Sequence, residues 1–222
     1  MFPIFKVVST EPTLKHLFRL VKSNLTKDNN ESFESYEKSF EMNQEFNFKY
    51  DFISVGVVAG TISSNNQCVD FELSNNTNPL NDLLKGMINI IFEPSHIWGE
   101  DNVSWVDWYE ETGGLKWVLS TEDGHTIHVK IIRYDDFFDE SSGKLVLDAA
   151  LSLLDFYYAI VHRLDIFIKK VGLLNYEQKW QKDEFPFTYF LLLKKHLVEK
   201  GHWVPTNERL GTLSDEIDFL LT

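Results

Sequence analysis

The chain has 222 residues, 43% hydrophobic and 25% charged, a composition that suits one large globular domain and excludes a disordered one. Asp and Glu outnumber Lys and Arg by 34 to 21, for a net charge of -13. No basic face accompanies that excess, so nucleic-acid binding is excluded and cationic proteins become the favoured partners.

In chain order, Thr10 or Thr13 caps a predicted helix running to about Lys22, with Leu14, Leu17, Phe18 and Val21 on one face. A polar loop follows over 23–32. Phe33, Tyr36 and Phe40 have helical spacing, whereas Phe46, Phe48, Tyr50 and Phe52 alternate as a strand does. Ile53, Val55 and Val57 predict one face of a strand ending near Thr61. Ser63-Ser64-Asn65-Asn66 turns the chain into a partner strand over Cys68 to Leu73. Asn78-Pro79 opens a helix with Leu80, Leu83, Leu84, Met87, Ile88 and Ile91 as its apolar stripe, and Pro94 stops it.

Three strands come next, over Val103 to Glu111, Leu115 to Thr121 and His125 to Tyr134. Gly113-Gly114 and Gly124 supply the positive φ that their tight turns need. Ile127, Val129 and Ile131 face the core. The apolar run from Leu145 to Val171, closed by Gly172, reads as one central helix about 40 Å long. Asp148, Ser152, Asp155 and His162 trace its polar stripe, and Arg163 and Asp165 further exclude a membrane span. Shorter helices are expected near Asn175 to Lys182, Phe187 to Lys200 and Asn207 to Leu221. The expected fold is α+β in a single domain over 1–222. An antiparallel meander in a β-rich middle (about 46–134) packs against a long, mostly buried helix and several shorter ones in a helical part (about 143–222).

Cys68 is the only cysteine, so no internal disulfide forms, and a buried structural thiol is expected. Met1 to Val8 lacks the long apolar core of a signal peptide. Both features point to a reducing, cytoplasmic setting, in which the sequons at Asn24, Asn30, Asn75 and Asn102 stay idle.

No catalytic, metal or cofactor signature stands out. His125 and His128 lie three apart on a strand, which sends them to opposite faces and argues against a shared metal. Gly56 and Gly60 lack the Lys and Ser/Thr of a phosphate loop. Asp155 and His162 stand about 10 Å apart on a helix, too far for an acid–base pair. The densest cluster is Trp105, Asp107, Trp108, Tyr109, Glu110 and Glu111. Strand parity puts Trp105, Asp107, Tyr109 and Glu111 on one face and Val106, Trp108 and Glu110 on the other.

Apolar rings among excess acids are what a binding face for a basic protein needs. The leading expectation is therefore a non-catalytic acidic binding module, such as an inhibitor or immunity-type protein that neutralises a basic partner. The alternative is a small-molecule-binding protein or hydrolase-like enzyme, with a pocket between sheet and long helix built from Asp107, Glu110, His128 and the Asp155 stripe. A third is an oligomeric scaffold held by the aromatics of the first 50 residues.

Overall fold

The computed structural model describes residues 46–92, 102–206, 209 and 211–222. The helix predicted near Thr10 to Lys22, the loop after it, the Phe33–Phe40 segment and Pro94 lie outside the described residues.

Period-two alternation dictates the first sheet. Strand β1 (Phe46–Ser54) pairs antiparallel with β2 (Val57–Ser64), which pairs with β3 (Gln67–Ser74). Phe46, Phe48 and Tyr50 point inward, as do Val58 and Ile62, and Val69, Phe71 and Leu73. Asn65 and Asn66, both at positive φ, make the two-residue hairpin turn whose twist matches the strands.

The strand expected to run through Val57 to Thr61 is instead broken at Val55-Gly56, so Ile53 and Val55 end up exposed. The reason is Gly56. It takes φ +73°, its N–H donates to Lys179 O (2.6 Å), and its carbonyl accepts from Asn75 N (2.8 Å).

Helix α1 (Pro79–Phe92) follows, with Leu80, Leu83, Leu84 and Met87 fully buried. It lies close on β4 (Asn102–Tyr109): a Cβ on Gly86 would stand 2.6 Å from Val106 Cγ2. Asn102 Nδ2 donates to Ile90 O (2.6 Å), and Trp108 Nε1 donates to Pro79 O (2.9 Å), satisfying buried carbonyls at both ends of the helix.

The second sheet is a meander in the order β4, β5 (Gly114–Thr121), β6 (Thr126–Tyr134) and β7 (Lys144–Ser152). Strand β7 corrects the sequence reading, in which Leu145 to Val171 formed one helix. Leu147, Ala149 and Leu151 pair with Ile131, Val129 and Ile127 and are buried with them. An apolar run satisfies strand and helix periodicities alike, and the free edge of β6 decided between them.

Ser152 then caps helix α2 (Leu153–Val171) through a hydrogen bond from Asp155 N (3.4 Å). The central helix therefore has 19 residues rather than the expected longer rod, and Asp148 is not on it. Ten of its residues are buried. It packs on β1 through Phe46–Phe156 and Tyr50–Phe167 contacts, and ties to α1 through Tyr157 OH to Met87 O (2.6 Å).

Helices α3 (Leu173–Trp180), α4 (Phe187–Glu199) and α5 (Thr212–Leu220) complete the described α+β architecture. No described helix is long and apolar enough to cross a membrane.

Candidate functional site

The alternation of β4 divides the predicted aromatic–acidic cluster. Trp108 is 0% exposed and sits where the two sheets meet, with ring centroids 5.0 Å from Phe71 and 4.9 Å from Trp117. Its indole is a core element, out of reach of any partner. Trp105 and Tyr109 take the outward phase, at 68% and 41% exposure. Asp107 shares that phase and stands opposite Lys116 across the strand pair.

Glu110 continues the inward phase of β4 beyond the last buried ring. There it meets Arg133 Nη1 at 2.8 Å, and Arg133 Nη2 donates to the Asp70 carbonyl of the other sheet. Glu111 follows, exposed, at the hairpin turn.

These residues border an open cleft of about 760 Å³. Its other wall is the outward face of β1–β3, where register places Lys49, Thr61 and Asp70 in one row and Asp51, Ala59 and Glu72 in the next. The middle strand contributes only Ala59, Gly60 and Thr61, so the floor is low. Five carboxylates (Asp51, Asp70, Glu72, Glu110, Glu111) line the cleft with two cations, Lys49 and Arg133. Arg133 is held by Glu110, and Asp51 is engaged by Arg163 of α2. Asp70, Glu72 and Glu111 remain exposed and carry the field outward. The arrangement suits a guanidinium or ammonium group arriving from solvent.

Sequence reasoning found Glu110 and Glu111 but missed Asp51, Asp70, Glu72 and Arg133. The alternation of β3, with Val69 and Phe71 inward, does place Asp70 and Glu72 together on its outward face. Cys68 shares that face and is exposed, which corrects the expected buried thiol.

The residues of the pocket alternative do not converge. Glu110 lies in the cleft, and His128 is exposed on β6 opposite Ala150. Asp155 sits in the first turn of α2, paired with His202 Nε2 at 2.8 Å. Among the described residues no group of three or more His, Cys, Asp or Glu side chains is arranged to hold a metal ion.

The remaining polar cluster joins helices. Asp165, nearly buried, accepts from Lys169 (2.7 Å) and Lys194, and Lys194 lies 4.6 Å from the Trp203 ring centroid. His162 stacks on Tyr158 (5.2 Å) and meets Trp203 at a tilt (5.6 Å), and those two rings also touch each other (5.3 Å). Burial there pulls its pKa below the ordinary histidine value, against the opposing pull of Asp165. The cluster fastens α4 and the 202–203 connector onto α2, which gives His202 and Trp203 a packing role.

Comparison of the chain with protein-family models, with curated proteins and with solved structures finds no match.

Proposed function

We propose that this chain is a non-catalytic, acidic protein-binding module that neutralises a basic partner, in the manner of an inhibitor or immunity-type protein. The observation that carries the reading is the juxtaposition at the end of β4: Trp105 and Tyr109 stand exposed on one face, and the carboxylate-lined cleft opens at the next two residues. Opposite fields accelerate encounter, and exposed aromatic rings hold the complex once it forms. The binding residues are Trp105, Tyr109, Glu110 and Glu111, joined by Asp70 and Glu72. The exposed thiol of Cys68 suits a reducing cytoplasm. The cleft also has the volume of a small-molecule site, but such sites are mostly apolar and these walls are charged, so a protein partner fits better.

The test is capture from an extract of the source cells on immobilised chain, beside a Trp105→Ala/Glu72→Gln/Glu111→Gln variant. A basic protein retained by the native chain and lost by the variant is expected. Equal retention by both, or retention of acidic proteins alone, contradicts the proposal.

A further inference from the structure

Between β6 and β7 the chain runs Asp135-Asp136-Phe137-Phe138-Asp139-Glu140-Ser141-Ser142, and its two phenylalanines have opposite fates. Phe137 folds back onto the sheet, with ring centroids 4.6 Å from Tyr109 and 5.1 Å from Tyr134. It lies over Gly114, where a Cβ would stand 2.9 Å from its ring. Phe138 points the other way and is 96% exposed, the most exposed of the large hydrophobic side chains described.

The loop that presents it is tied down. Phe138 N donates to Asp136 Oδ1 (2.9 Å), Ser141 N donates to Asp139 Oδ1 (2.9 Å), and Ser142 Oγ bonds the Asp136 carbonyl (2.8 Å). Lys144 Nζ holds Asp135 at 2.9 Å. The Ser141 hydroxyl and amide keep the Asp139 carboxyl below its ordinary range, so the charge beside Phe138 persists into mild acid. An exposed ring on a braced loop loses little conformational freedom on binding, which is the property of an interface anchor.

We infer that Phe138 is the apolar anchor of the proposed interface, inserting into an apolar pocket ringed by Lys or Arg on a basic protein. The inference rests on the binding reading above and adds to it a second contact point, joined to the first through Tyr109 and Phe137. Charge decides the kind of partner. Asp136, Asp139 and Glu140 flank the ring, and in that company it is repelled by anionic lipid headgroups, by phosphate backbones and by a second copy of this chain. A cationic protein surface meets both the ring and its acidic surroundings.

The experiment selects a displayed random-peptide library on the intact chain and measures the enriched peptides against three variants. These are Phe138→Ser, Phe138→Leu, and the combined Trp105→Ala/Glu72→Gln/Glu111→Gln. Enriched peptides are expected to carry an apolar residue flanked by Lys or Arg. They should bind Phe138→Ser about tenfold or more weakly and Phe138→Leu nearly as well as the native chain. Phe138 is exposed, so unchanged urea unfolding of Phe138→Ser serves as the folding control. Peptides that ignore Phe138→Ser but lose the combined variant overturn the anchor and leave the cleft reading standing. Peptides that lose Phe138→Ser but ignore the combined variant uphold the anchor and refute the cleft. No enrichment, acidic peptides, or binding of the chain to neutral phosphatidylcholine vesicles through Phe138 overturns the inference.

Discussion

Trp105 and Trp108 stand three residues apart on one strand and should respond to substitution in opposite ways. Trp108 is fully buried against Phe71 and Trp117 and donates to the Pro79 carbonyl, so it joins both sheets to the start of α1. Trp108→Ala removes a buried indole, a loss of about 3–5 kcal/mol. The missing hydrogen bond adds about 1 kcal/mol. The total, about 4–6 kcal/mol, approaches the whole stability of many domains, about 5–15 kcal/mol. Trp108→Phe retains a ring and should lose about 2–3 kcal/mol, which lowers a urea midpoint by about 1–2 M. Trp105→Ala should change stability by less than about 0.5 kcal/mol, because an exposed ring away from packed neighbours contributes little to the fold. Urea unfolding followed by far-UV circular dichroism avoids the ambiguity of six tryptophans in fluorescence. The assignment of these two rings is refuted if Trp105→Ala costs as much as Trp108→Phe.

Three other outcomes check the fold and its charge. Gly60→Ala places a Cβ 1.8 Å from Lys49 O and 2.6 Å from Phe71 Cζ, and should cost about 3 kcal/mol or more in the same unfolding assay; a loss below about 1 kcal/mol contradicts the β1–β2 register. Burial lowers the pKa of His162, and likewise of His196, so the folded state binds fewer protons than the unfolded one just below the ordinary value of 6.5. Their stabilising contribution is complete above that value and declines as pH falls through the window beneath it. Between about pH 7 and pH 5.5 the urea midpoint of the native chain should therefore fall relative to that of His162→Phe, and a difference between the two that does not change with pH contradicts the half-buried placement. Asp123 accepts from Thr126 N and His125 N, which holds its carboxyl down at about 2. Its contribution is present above the ordinary 3.8 and lost towards about 2, and carbon-detected NMR should find a midpoint there rather than near 3.8.

Much of the architecture was readable because turns announce themselves. Asn65-Asn66, Gly113-Gly114 and Gly124 each sit between alternating runs, and they fixed the hairpins within a residue or two. The Leu145–Val171 run was not readable in that way. Leu147, Ala149 and Leu151 become a strand only because β6 offers an open edge, information that lies outside the segment. Parity on β4 separates Trp105 from Trp108, and of the two only Trp105 is open to a partner.

The cleft was only half legible. Glu110 and Glu111 are local, but Arg133 and Asp70 reach it from other strands, and their meeting depends on how the sheets pack. Phe138 does leave a local signal, since two adjacent phenylalanines sit inside an acidic turn and packing on Tyr109 and Tyr134 uses only Phe137.

The association rate of the captured basic protein, measured as salt is raised, tests the central claim most directly. The native chain should bind quickly at low salt and lose about tenfold to a thousandfold in on-rate as the charges are screened. Neutralising Asp70, Glu72 and Glu111 should flatten that dependence while leaving urea stability unchanged. An on-rate indifferent to salt, or a slope untouched by those three substitutions, would contradict an acidic binding face at the end of β4.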